Sequence, residues 1–233
     1  MSELARADLE VLRQWDTPTI CNGLELLDAR YRTSGFTVEN MVCLNPELKP
    51  IVGYARTAMI RAAAPPVGDG AALRAVRAKY YGHVAAAPMP SIAVLQDLDP
   101  NPGFGAFWGE VNTAVHKGLG CLGAVTNGSF RDVDACAPGF QLLGGKIAPS
   151  HAWVHLVDIG GEVNVFGMSV RPNDIVHADR HGAVVVPADC VKKLPAAIDL
   201  IARREAVILA AARAPGFGID VLTKAMADAA EIH

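Results

Sequence analysis

The stretch from Trp108 to Asp132 constrains the fold of this chain most. A loop rich in Pro, Gly and Asn, from Asp97 to Trp108, runs into a helix that begins near Gly109 and ends near Leu119. An apolar strand follows at Leu122 to Thr126, closed by Asn127-Gly128. A second buried strand precedes the loop at Ser91-Ile92-Ala93-Val94-Leu95. Strand, helix and strand in this order predict an α/β layer. The composition agrees, because 51% of the 233 residues are hydrophobic and only 6% aromatic, so Ala, Val, Leu and Ile must fill the core.

The rest of the chain extends this pattern on both sides. Leu4, Leu9 and Leu12 give a first helix a loose apolar face. Thr17 reads as the cap of a second helix, with Pro18 at its first position and Ile20, Leu24 and Leu27 at helical spacing. Residues 51–61 read as a strand, and Asp69 as the cap of a helix through Tyr81. From Phe140 to Val186 the pattern is strand-rich, with its clearest pieces at 154–157, 163–165 and 183–186. Pro172-Asn173-Asp174 and Arg180-His181-Gly182 are turns. Ala197 to Ala212 and Ile219 to Ala229 are helices. The expectation is one domain over 1–233, with a core at about 15–187 and C-terminal helices at about 189–230 whose apolar faces could meet another subunit.

Several functions lose support at this level. The net charge is −3 and no run of Lys or Arg exceeds two residues, so no basic stripe invites nucleic acid. No stretch approaches the length of apolar residues a membrane helix needs, and residues 1–8 show no apolar signal core. Five cysteines without a C-x-x-C fit reduced thiols. The expected location is the cytoplasm.

The chemistry concentrates around the predicted helix start. The first N–H groups of a helix lack internal partners and carry partial positive charge, which suits a carboxylate or phosphate. Arg131-Asp132 lies just past the carboxyl end of the strand at 122–126, where open α/β sheets form ligand crevices. An Asp there can bind Mg²⁺ or Mn²⁺. An Arg can neutralise an enolate or carboxylate oxygen. A surface ion pair between the two is the bland alternative.

Glu110, twenty intervening residues (111–130) and then Arg131-Asp132 resemble the RraA-like superfamily, in which an acidic residue and an Arg-Asp pair are spaced in this way. Val125-Thr126-Asn127-Gly128-Ser129-Phe130-Arg131-Asp132, Asp16-Thr17-Pro18-Thr19, and Pro172 to Asp179 running into Gly182 to Pro187 are similar to other family blocks. The likeness covers roughly 15 to 210. It implies an α/β/β swivelling-type sandwich assembled as a trimer or hexamer with active sites at subunit contacts. The family contains 4-hydroxy-4-methyl-2-oxoglutarate aldolases, which also decarboxylate oxaloacetate, and the non-catalytic regulator of ribonuclease activity A. For the aldolases it implies that Asp132 ligates Mg²⁺ or Mn²⁺ and that Arg131 contacts the substrate and its enolate oxygen. The backbone at Gly109, Val111 and Asn112 would hold the carboxylate of a small 2-oxo acid, and Glu110 would position metal-bound water. Such water, held by Glu110 and Asp132, is the candidate acid and base at the level of the sequence. The expected activity is a class II pyruvate aldolase acting on a 4-hydroxy-2-oxo dicarboxylic acid. The alternative is an interaction protein. Three positions depart from the family: Glu110, Asn127 and Asn22 stand where Asp is usual.

Other signals carry less. Gly118-Leu119-Gly120-Cys121-Leu122-Gly123 spells G-x-G-x-x-G, but it follows a helix and opens a strand, the reverse of a dinucleotide site. His177 and His181 read as structural or interfacial, Asp179 as a turn-former or a residue near the site, and Glu205 as a solvated face or a residue reaching a neighbouring subunit's site. His116 and Lys117 read as exposed, and Cys121 and Cys136 as small buried hydrophobes. Lys146 would serve only a Schiff-base route.

Overall fold

The computed structural model describes residues 4–86 and 88–233. The signal-core reading at 1–8 falls partly on residues 1–3, outside the described residues. In chain order the elements are α1 (Arg6–Leu12), α2 (Thr17–Leu27), β1 (Val42–Cys43), β2 (Ile51–Arg61), α3 (Gly70–Ala85), β3 (Ser91–Asp97), β4 (Ala106–Trp108), α4 (Glu110–Gly118), β5 (Cys121–Thr126), β6 (Ser129–Phe130) and β7 (Gln141–Gly144). Then come β8 (Lys146–Ile147), β9 (His155–Ile159), β10 (Val163–Val165), β11 (Met168–Val170), β12 (Ile175–Asp179), β13 (Gly182–Val186), α5 (Leu194–Ala212) and α6 (Ile219–Ala230).

The main sheet runs β1-β7-β5-β3-β2-β12-β13, with β9 also paired to β2. Its centre, β7-β5-β3-β2, is parallel, and the β1, β9, β12 and β13 pairings are antiparallel. The central strands are largely apolar and buried because both faces are covered. On one face Tyr80 and Val84 of α3 pack with Phe107, Trp108, Phe130 and Phe140. On the other, the β10–β11 hairpin places Val163, Val165, Met168 and Val170 against Ile51, Ile92, Val94 and Val125. A third cluster docks Leu9, Leu12, Ile20, Leu24, Leu194 and Ile198 from α1, α2 and α5 on Val52, Val184 and Val186. Each large apolar side chain so buried contributes roughly 1.5–3 kcal/mol. The α/β/β class expected from the sequence is the class observed.

Three local expectations change. Asp16, not Thr17, caps α2: its carboxylate accepts the Thr19 N–H at 3.0 Å, and Thr17-Pro18 become the first two helical residues. Asp69 caps α3 as expected, accepting from Ala71 and Ala72, but the helix runs on to Ala85. α5 begins at Leu194, with Pro195 in its first turn.

The main parallel strands end in a second, smaller sheet. β4, β6 and β8 follow β3, β5 and β7 in the chain and pair in parallel as β4-β6-β8. This small sheet carries α4 and the Arg131-Asp132 turn.

Candidate active site

Pairing of β4 with β6 brings the two halves of the sequence motif together. Trp108 stands opposite Phe130, and the Arg131 N–H donates to the Trp108 carbonyl at 3.0 Å. The residue after Trp108 is Gly109, the cap of α4. The residue after Arg131 is Asp132, in the left-handed region at φ 54°, which Asp tolerates better than most side chains. The Ala135 and Cys136 N–H groups donate to its carbonyl at 2.9 and 3.0 Å and hold that turn. Its carboxylate swings over the start of α4. Oδ2 accepts the Glu110 N–H at 3.4 Å and lies 3.6 Å from Arg131 Nε. A Cβ on Gly109 would come within 2.6 Å of that oxygen, so glycine is what lets the carboxylate sit there.

These groups open onto a cavity of about 460 Å³. Gly109, Val111, Asn112, Arg131 and Asp132 all line it, as do Ala106, Phe107 and Trp108 of β4. The Val111 and Asn112 N–H groups precede the first bond inside α4, from Thr113 N–H to the Gly109 carbonyl, and are free to meet an anion. Glu110 does not reach the wall; it is exposed in the first turn of α4, and its part in the site is its backbone N–H on Asp132. Arg77 and Tyr81 from α3, and His151 and Trp153 from the segment before β9, also line the wall. Sequence reading missed them. A signal for the first pair existed, since Leu73, Arg77 and Tyr81 recur every four residues and all three line the cavity. The second pair lies in irregular chain, where no periodicity points anywhere.

Behind the wall a buried network fixes the first turn of α4. The Asn112 side chain donates to the Phe107 carbonyl and accepts the Tyr81 hydroxyl at 2.9 Å, leaving its backbone for a ligand. His116, expected on the surface, is fully buried. Its Nδ1 lies 2.6 Å from the Asn112 carbonyl and its Nε2 2.8 Å from the Tyr80 hydroxyl. A carbonyl only accepts, so Nδ1 carries the proton and Nε2 takes the Tyr80 O–H. Burial pushes the His116 pKa down to about 4 and that of Tyr80 well up, so both stay neutral. Burial also raises Tyr81, against the opposing charge of Arg77.

The other candidates fall elsewhere. Lys146 is exposed and lines a separate cavity with Asn127, Gln96 and Asn164. Asn127 clamps the end of β3, accepting the Asp97 N–H at 2.7 Å and donating to the Asp97 carbonyl at 3.0 Å. Asn22 faces Glu205 across another cavity, with Trp15 and Ile198. His177 is buried between Thr17 Oγ1 and the Trp15 carbonyl, and Asp179 shapes its turn by accepting the His181 and Thr17 N–H groups. Burial raises the Cys121 thiol to about 11 and that of Cys136 less, so neither is a ready nucleophile. Among the described residues no three His, Cys, Asp or Glu converge to cage a metal. Among the described residues Asp132 is the one carboxylate on the cavity wall. That donor set fits a cation such as Mg²⁺, which keeps most of its water and takes one or two carboxylates; it does not fit a closed protein cage.

Comparison with known proteins bears on the fold and the family. A search of curated proteins by sequence found no match. An uncharacterized protein from Pseudomonas syringae pv. tomato superposes with a TM-score of 0.71 at 20% identity, covering 97% of this chain and 96% of that one. Streptomyces coelicolor RraAS2, described as an unusual member of the RNase ES inhibitor RraA family, gives 0.65 at 20% identity over 88% and 95%. The RNA-processing inhibitor RraA from Thermus thermophilus gives 0.50 at 17% identity over 69% and 90%. These likenesses establish the fold. The RraA-like family, described as Aldolase/RraA, matches residues 17–185, well over half the chain. On that match, and on a fold in keeping with it, the chain belongs to the RraA-like family.

Proposed function

We propose that this chain is a divalent-metal-dependent carbon–carbon lyase that cleaves a small 4-hydroxy-2-oxo dicarboxylic acid to pyruvate, with oxaloacetate decarboxylation as a side activity. One observation carries the reading: the α4 N-terminus, Arg131 and Asp132 meet on the wall of one cavity. Breaking the C3–C4 bond of a 2-oxo acid leaves the enolate of pyruvate, and the site must stabilise that charge. The Val111 and Asn112 N–H groups, at the positive end of α4, would hold the C1 carboxylate. The Arg131 guanidinium would hold the keto oxygen as it gains charge, a role whose loss costs about 10²–10³ in kcat in comparable sites. Asp132 would hold Mg²⁺ or Mn²⁺, which supplies Lewis acidity when bound. Gly109 keeps the approach to Asp132 open, and Phe107, Trp108 and Trp153 line the walls.

Four large apolar side chains stand out around this region: Val111 and Trp153 on the wall, 71% and 58% exposed, and Phe104 and Ile147 nearby in sequence to β4 and in β8, 58% and 55% exposed. They support assembly into a trimer or hexamer that covers the cavity mouth.

The test is pyruvate release from 4-hydroxy-4-methyl-2-oxoglutarate and from oxaloacetate, with Mg²⁺, Mn²⁺ or EDTA, for wild type, Asp132→Ala and Arg131→Ala. Metal-dependent release abolished by Asp132→Ala and cut about 10²-fold or more by Arg131→Ala is expected. Release unaffected by EDTA would remove the metal from the reading. No release and no bound metal would favour an interaction protein; the Thermus neighbour is described as an RNA-processing inhibitor.

A further inference from the structure

Cleavage needs a group that removes the proton of the 4-hydroxyl and returns one to the enolate carbon. Five ionisable side chains line the cavity: Arg77, Tyr81, Arg131, Asp132 and His151. The two arginines have no basic atom to offer. The Tyr81 hydroxyl donates to Asn112, and burial keeps it a phenol. Asp132 accepts the Glu110 N–H, lies beside Arg131 and is the residue that would hold the metal, so its carboxylate is engaged. His151 remains.

We propose that His151 is the acid–base residue of this site; the assignment rests on the lyase reading. Its Nδ1 lies 2.7 Å from the Ala152 carbonyl. A carbonyl only accepts, so the neutral ring carries its proton on Nδ1 and presents a lone pair at Nε2. The Nε2 atom has no hydrogen-bond partner among the described residues, and the ring is exposed.

The segment that carries His151 is pinned from three sides. The Ala106 N–H donates to the Ser150 carbonyl at 2.9 Å, tying it to β4. The Trp153 N–H donates to the Ala62 carbonyl at 3.1 Å, tying it to the end of β2, where Arg61 and Asp99 are the nearby charges. The Val154 N–H closes a turn on the His151 carbonyl at 3.0 Å. Within that turn Ala152 is left-handed at φ 45°, a conformation costly for alanine, and Ser150 Oγ accepts its N–H at 3.0 Å. A Cβ on Gly105 would come within 2.5 Å of the His151 carbonyl, so the segment lies directly on the backbone before β4. Strained backbone held by this many bonds is what fixes a reacting group in place.

In the forward direction Nε2 takes the proton of the 4-hydroxyl. The C4–O bond becomes a carbonyl as the C3–C4 pair moves into the C2–C3 bond of the enolate. The same Nε2–H then protonates C3, giving pyruvate and the neutral ring. Run in reverse on pyruvate, this step exchanges methyl protons with solvent.

Two readouts test the assignment on the full-length protein: pyruvate release from the aldol substrate, and deuterium incorporation into the pyruvate methyl group in D₂O. His151→Ala and His151→Asn should lower both rates by about 10²-fold or more with little change in KM. Added imidazole should restore a measurable part in His151→Ala. His155→Ala is the control, because His155 makes a similar bond to the Trp153 carbonyl but lines only an adjoining cavity. It should leave both rates unchanged. His151 variants that keep both rates overturn the assignment, and so does a loss that imidazole leaves untouched. Wild type that exchanges deuterium but cleaves neither acid overturns the substrate reading alone, with exchange still deciding on His151. Wild type that does neither overturns both.

Discussion

Asn127 occupies a position where the family usually has Asp, and its amide does two opposite jobs on one backbone unit. Oδ1 accepts the Asp97 N–H while Nδ2 donates to the Asp97 carbonyl. A carboxylate could accept but not donate. The Asp97 side chain, itself buried and raised in pKa by that burial, sits on the same residue and would add repulsion. Asn127→Asp should therefore lower stability at pH 7 by about 1–3 kcal/mol, the cost of an unmade bond at a buried carbonyl. Urea denaturation checks this, and an unchanged midpoint would show that the clamp contributes nothing. The departure is thus a feature of the β3 end and takes no carboxylate from the cavity wall. Arg131, Asp132, Gly109, Val111 and Asn112 are legible in the sequence because they lie in two short runs at a fixed spacing.

At the scale of the element, α4 depends on a histidine that must stay neutral. His116 has a folded-state pKa of about 4, below its ordinary 6.5, because it is buried. As pH falls, the unfolded chain binds the proton first, so folding loses stability between about pH 6.5 and pH 4 and keeps it above. The loss is on the order of 3 kcal/mol at about 1.4 kcal/mol per pH unit. His177 is depressed in the same direction by the same cause and adds to the slope. Urea midpoints measured at pH 7 and pH 4.5 should fall steeply in wild type and less in His116→Gln, which cannot gain the charge. Equal slopes would mean that His116 is not the group responsible. Helix α4 also shows why its inner face was misread. Lys117, its neighbour, is exposed as expected, but His116 is covered by Tyr80, 36 residues earlier, and local periodicity does not register a polar ring satisfied from that distance.

For the whole molecule, the exposed Phe104, Val111, Ile147 and Trp153 predict self-association. Light scattering should give the mass of a trimer or hexamer, and Phe104→Glu with Ile147→Glu should shift it toward the monomer without unfolding, since both side chains are already in contact with water. A monomeric wild type would remove the assembly from the proposal. At this scale too, among the described residues, no helix is long and apolar enough to cross a membrane.

The bounds of β2, the helix–strand unit of α4 and β5, the α/β layer and the pair at Arg131-Asp132 could all be read from the chain alone. Each of these is written in short-range spacing: apolar runs, turn residues, and polar side chains at the ends of elements. Which side chains share the cavity depends on how the elements pack. Arg77 and Tyr81 reach it because α3 packs beside β4, and His151 and Trp153 because backbone bonds to Ala106 and Ala62 tie their segment there. The register of β4 on β6 decided that a glycine would lie under the Asp132 carboxylate. Contacts of this kind join residues far apart in the chain through packing and strand register, and no local pattern encodes them.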